Sequence, residues 1–160
     1  MPERFAVRGR LIVDGRVVPG AVVVEGGKVK EVLRGEPAGG SLPSRVVTAS
    51  VVAPGFIDLQ VNGGFGFEAG DDARALGQLS AALPRTGVTA YLPTIVSSEP
   101  QFYPRAFAAY ASAAAAQPET PSAKPLGLHL EGPFLSVERK GAHRANVIEA
   151  APDSLLDPWL

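Results

Sequence analysis

Three short stretches of this sequence hold the side chains whose types and spacing suit acid–base or metal chemistry. In GLHLEGPFL, residues 127–135, His129 and Glu131 stand two positions apart, so an extended strand puts them on one face and Leu128 and Leu130 on the other. Gly132-Pro133 breaks that strand immediately afterwards. A carboxylate at the C-terminal end of a parallel strand lies where α/β folds collect active-site groups. A buried glutamate is costly unless it is paired or bound to metal, so an internal ion pair explains Glu131 equally well, and a packed, hydrogen-bonded interior histidine explains His129. In PGFIDLQVNGG, residues 54–64, Asp58, Gln60 and Asn62 point one way while Ile57, Leu59 and Val61 point the other. Such a polar row needs hydrogen-bond partners or a ligand, or it is a strand end capping its own Asn-Gly turn. The third stretch is the loop Arg139-Lys140-Gly141-Ala142-His143-Arg144. Its histidine can meet a substrate, and Arg139, Lys140 and Arg144 can attract an anionic group such as a phosphate; the alternative is a solvated charged loop. One carboxylate and two histidines suit metal-assisted or acid–base work without fixing a reaction.

The elements that must position these groups change character along the chain. Residues 1–50 carry a net charge of +3 and residues 51–160 a net −4. The early part consists of short β-branched runs, Phe5 to Val13, Val17-Val18, Ala21 to Val24 and Val29 to Leu33, broken at Asp14-Gly15 and Gly26-Gly27. This pattern predicts a meander or hairpins in a small sheet, followed by a loop over Gly35 to Ser44. Later the period becomes strand-then-helix. The run VVTASVVAPGFIDLQV, residues 46–61, reads as one strand buried on both faces. Leu76, Leu79 and Leu83 share one face of a helix over Ala73 to Leu83. GVTAYLPTIVSS, residues 87–98, is a second strand, after which Ser97 or Ser98 and Pro100 supply a cap and first-turn proline. The helix that follows shows Tyr103, Phe107, Tyr110 and Ala114 on one face and ends near Gln117-Pro118; its alanine-rich half, Ala106 to Ala116, is good helix former. A third apolar run covers Pro125 to Leu135. Strands separated by helices predict parallel βα units.

Composition removes several function classes. The chain has no cysteine, which excludes disulfides, thiolate metal sites and thiol nucleophiles, so any metal is held by His, Asp, Glu or amide oxygens. A net charge of −1 in 160 residues gives no nucleic-acid footprint. No secretory leader or membrane span is evident, so a soluble cytoplasmic protein is expected.

The stretch APGFIDLQVNGG, residues 53–64, resembles the first barrel strand of the amidohydrolase superfamily, where a similar lead-in runs into His-x-His. LHLEGP followed by KGxH, within residues 127–146, closely resembles the N-acetylglucosamine-6-phosphate deacetylases, and GVTAYLPTIVSS is similar to that family's second strand. The resemblance implies an α/β fold: the N-terminal portion of a (β/α)8 TIM barrel, its first three βα units in residues 51–160, preceded by strands of a small β-sandwich in residues 1–50. It implies hydrolysis of the acetamide of N-acetylglucosamine 6-phosphate, a small amino-sugar phosphate, to glucosamine 6-phosphate and acetate, by an enzyme that is a homodimer. It also implies one divalent metal ion, Zn or Fe, with Glu131 as a ligand and with Ala142 and His143 touching the substrate. Gln60 and Asn62 occupy the His-x-His places, a departure that these deacetylases share. A neutral amide is a poor zinc ligand beside imidazole, so one metal is expected, with Gln60, Asn62 and His129 in or just behind its coordination sphere.

A complete barrel needs roughly 250 residues. The family's two metal-binding histidines and catalytic aspartate are therefore expected beyond Leu160, since His129 and His143 are the only histidines present. No catalytic residue is assigned within these 160 residues, and the chain alone is expected to be inactive and poorly folded. Two other readings stay open: an amidohydrolase acting on a cyclic amide, which favours His-x-His at 60 and 62, and a structural module that binds no metal.

Overall fold

Both early turn signals fold as tight hairpins. Asp14 and Gly15 have φ values of 51° and 69°, and Gly26 and Gly27 have 58° and 74°, the successive positive values that a type I′ turn requires. They join β1 (Arg4–Val13), β2 (Arg16–Glu25) and β3 (Lys28–Arg34) into an antiparallel meander. After a loop, β4 (Val46–Val52) lies parallel to β1, which completes a four-stranded sheet of order β3-β2-β1-β4. Ala6, Ala21 and Val23 are buried on one face of it, and Leu11 is buried on the other. The computed structural model describes residues 3–38, 40–116 and 120–149, so the helix end expected at Gln117-Pro118 lies outside the described residues.

The chain divides into two compact units, one ending at Pro54 and the next beginning at Gly55. That division corrects the reading of residues 46–61 as a single strand. Val46–Val52 belongs to the first sheet, and β5 (Phe56–Val61) opens the second unit. Pro54 cannot donate to a ladder, and the path at Gly55 admits no side chain, since a Cβ there would lie 2.1 Å from Thr89 Cγ2. Nor is β5 buried on both faces: Phe56, Ile57 and Leu59 are 66%, 59% and 64% exposed, and among the described residues β5 pairs with one strand only.

In the second unit β5 leads into a small hairpin of β6 (Gly63–Gly64) and β7 (Phe67–Glu68), then α1 (Ala73–Ala82), β8 (Val88–Val96), α2 (Phe102–Ala115), β9 (Lys124–Pro125), β10 (His129–Glu131) and the short α3 (Ala145–Glu149). β8 is central, with β5 parallel on one side and β10 parallel on the other; β9 also runs parallel to β8. The third apolar run is therefore a broken strand that ends at Glu131, where Gly132 takes φ +91°. Parallel strands alternate with helices, and the fold class is mixed α/β. The core follows the expected leucine face: Leu79 and Leu83 pack with Val61, Val88 and Tyr91, and Leu76 is buried beside them in α1. Asp72 caps that helix, its Oδ1 accepting from the amides of Arg74 and Ala75 at 2.8 and 3.3 Å.

The second helix starts later than its serines suggested. Gln101 precedes it without a side-chain cap, and Ser98 donates instead to the Val96 carbonyl at 2.9 Å. Its buried face is Tyr103, Ala106 and Ala109, while Ala114 is exposed. Of the expected aromatic face, Tyr103 is fully buried and Phe107 packs against the same cluster, with the small alanines Ala106 and Ala109 beside them.

Candidate functional site

The C-terminal ends of β5, β8 and β10 converge on one cleft. It measures ≈ 360 Å³ and is lined by Gln60, Asn62, Val96, Ser97, Glu131, Ala142, His143 and Arg144. Three parallel strands and the loop after β10 thus contribute, although Gln60 and His143 are far apart in sequence. Glu131, one of its lining residues, has partners on both carboxylate oxygens. Asn62 Nδ2 donates to Glu131 Oε2 at 3.0 Å, and His143 Nε2 stands 3.5 Å from Oε1. The Asn62 hydrogen bond above all, with His143 and Gln60 adding to it against some desolvation, holds the Glu131 carboxyl below the usual glutamate range. The cleft therefore keeps an oriented carboxylate anion at neutral pH.

The polar row of β5 divides its labour. Asn62 and Gln60 face the cleft, whereas Asp58 Oδ1 accepts the Gln60 amide at 3.1 Å and serves the backbone. His129 lies apart from the cleft lining; its Nδ1 is 3.0 Å from the Leu59 carbonyl oxygen, a link between β10 and β5. Among the three cations, Arg144 reaches the cleft. Lys140 Nζ instead donates to the His143 carbonyl at 3.1 Å and clamps its own loop, and Arg139 is exposed in the turn Val137–Arg139.

Over 104 residues the chain is 39% identical to the N-acetylglucosamine-6-phosphate deacetylase of Homo sapiens, and over 112 residues 35% identical to that of Bacillus subtilis (strain 168). These matches take in 58% and 69% of this chain, and 23% and 28% of those proteins. A mutant N-acetyl-D-glucosamine-6-phosphate deacetylase from Mycobacterium smegmatis, solved in complex with N-acetyl-D-glucosamine-6-phosphate, matches with a TM-score of 0.78 at 26% identity, over 97% of this chain and 40% of that one. The chain is a relative of the N-acetylglucosamine-6-phosphate deacetylases. No protein-family model matches it, and it spans about a quarter of the length of these curated deacetylases.

Two hydroxyl residues that shape the deacetylase-like cleft were not singled out as site residues by their sequence context. Thr94 Oγ1 accepts the Val61 amide at 3.0 Å, which sets the end of β5 just before Asn62. Ser97, read from sequence as a helix cap, lies 2.9 Å from His143 Nδ1. The available signal was position: hydroxyls near the C-terminal end of an otherwise apolar parallel strand.

A divalent metal, which the family resemblance implies, needs anionic or imidazole donors. Glu131 is the anionic donor of the cleft, while Gln60 and Asn62 present neutral amides. Among the described residues no group of three or more His, Cys, Asp or Glu is placed to hold an ion. The chemistry of this donor set fits Glu131 as one ligand of such a metal.

Proposed function

We propose that this chain forms part of the substrate cleft of a metal-dependent deacetylase acting on N-acetylglucosamine 6-phosphate. The observation that carries this reading is the convergence of Gln60, Asn62, Glu131, Ala142 and His143 on one cleft, in a chain whose relatives bear that enzyme's name. When bound, a divalent metal polarises the acetamide carbonyl and lowers the pKa of its water. Glu131 would be one ligand, and the Asn62 amide fixes the direction of its carboxylate. His143 would donate to the sugar beside Ala142, and Arg144 would draw the anionic phosphate toward the cleft. The described residues offer a single anionic ligand, so turnover would draw on further ligands and a base outside them.

The test is binding of N-acetylglucosamine 6-phosphate, followed by calorimetry, together with metal content by elemental analysis, for the wild-type protein and its Glu131→Gln and His143→Ala variants. Glu131→Gln is expected to lose metal and His143→Ala to lose affinity for the sugar phosphate. Unchanged metal content and unchanged affinity in the two variants would refute the reading.

A further inference from the structure

We propose that Ser97 is a positioning residue that fixes the tautomer of His143, so that this ring presents an Nε2–H donor to the cleft. Ser97 follows β8 directly, at the point where Val96 pairs with Glu131, and it is buried. His143 meets two partners. Its Nε2 faces Glu131 Oε1 at 3.5 Å, with the imidazole only 11% exposed, and its Nδ1 is 2.9 Å from Ser97 Oγ.

A carboxylate only accepts hydrogen bonds, so the nitrogen facing Glu131 must carry the proton. In a neutral ring Nδ1 then has a lone pair and needs a donor. Ser97 has one hydroxyl proton and two acceptors within reach, His143 Nδ1 at 2.9 Å and the Glu131 carbonyl oxygen at 3.4 Å. Hydrogen bonds weaken toward the longer distance, so the proton goes to the imidazole. The backbone is shaped to leave room for this hydroxyl: a Cβ on Gly132 would stand 2.1 Å from Ser97 Oγ. Lys140 holds the same histidine from its other end, through the His143 carbonyl.

The functional consequence rests on the deacetylase reading, because a fixed Nε2–H matters where a sugar oxygen accepts from it. The tautomer itself can be tested without that reading. The protein has two histidines, so long-range ¹H–¹⁵N spectra resolve both rings. At about pH 9, wild-type His143 is expected as a single Nε2–H tautomer. Ser97→Ala should move both ring nitrogens toward the average of two tautomers, and Ser97→Thr, which keeps the hydroxyl, should restore the wild-type pattern. The His129 ring, tied to the Leu59 carbonyl, should stay unchanged and so reports an intact fold. Should Ser97→Ala disturb His129 as well, the wild-type and Ser97→Thr spectra decide alone, and both must show Nε2–H. A wild-type Nδ1–H ring, or a Ser97→Ala spectrum that superimposes on wild type, overturns the proposal. Affinity for N-acetylglucosamine 6-phosphate should also fall about tenfold in Ser97→Ala. A tautomer shift with full affinity would fault His143 as the sugar contact while leaving the role of Ser97 standing.

Discussion

Replacing Thr94 with valine tests how the strand end that carries Asn62 is held. The side chain is buried, and its Oγ1 accepts the Val61 amide at 3.0 Å while donating to the Leu92 carbonyl at 3.1 Å. The β5–β8 register shifts between Asp58 and Val61, so this hydroxyl takes the place of a regular ladder bond. Valine has nearly the same shape and no acceptor. The Val61 N–H would then be left buried and unpaired, which costs about 1–3 kcal/mol. At about 4 °C per kcal/mol for a unit near 100 residues, the melting temperature should drop by about 4–12 °C. Thr94→Ser keeps the acceptor and should lose only the smaller methyl contribution. Amide exchange gives the local readout: Val61 should exchange faster in Thr94→Val than in Thr94→Ser. A valine variant that melts within a degree of wild type with unaltered Val61 exchange would refute the account.

Two further outcomes follow from burial and close approach. Gly9→Ala should destabilise the first sheet by about 1–3 kcal/mol, because the new Cβ would sit 2.3 Å from the Ala49 carbonyl oxygen; a urea melt measures it, and a wild-type midpoint would count against that contact. Burial, opposed in part by hydrogen bonds to Ser80 and Ser98 respectively, raises the Tyr91 and Tyr103 hydroxyls above the usual tyrosine range. Their contribution to stability is whole below the ordinary tyrosine value and is lost as pH rises through the raised ones; tyrosinate absorbance should show two phenols ionising late, together with alkaline unfolding.

Much of the cleft was legible because its chemistry lies in compact motifs. Glu131, Ala142 and His143 fall within one loop's reach of each other, and the period-two row of β5 already gave Gln60 and Asn62 a shared face. What misled was apolar continuity. The residues from Val46 to Val61 look like one strand, yet a break at Pro54-Gly55 assigns them to different units, and local pattern cannot show which strand pairs with which. Alanine posed the opposite difficulty: Ala106 and Ala109 join Tyr103 on the buried face of α2, whereas the aromatic spacing suggested a face that also included Ala114, which is exposed.

The sequence by itself determined the hairpins, through residues that tolerate positive φ, the leucine face of α1, and the set of side chains able to do chemistry. Only the tertiary structure decided their pairing. Asn62, Glu131 and His143 meet because β5 and β10 flank β8, and the resulting hydrogen bonds orient the carboxylate and lower its pKa further below the usual glutamate range. The same packing turned Ser97 from an expected helix cap into the partner of His143 and tied His129 to the Leu59 carbonyl, away from the cleft. Hydrogen-bond partners are set by distances across the sheet, and those are fixed only when the strands dock.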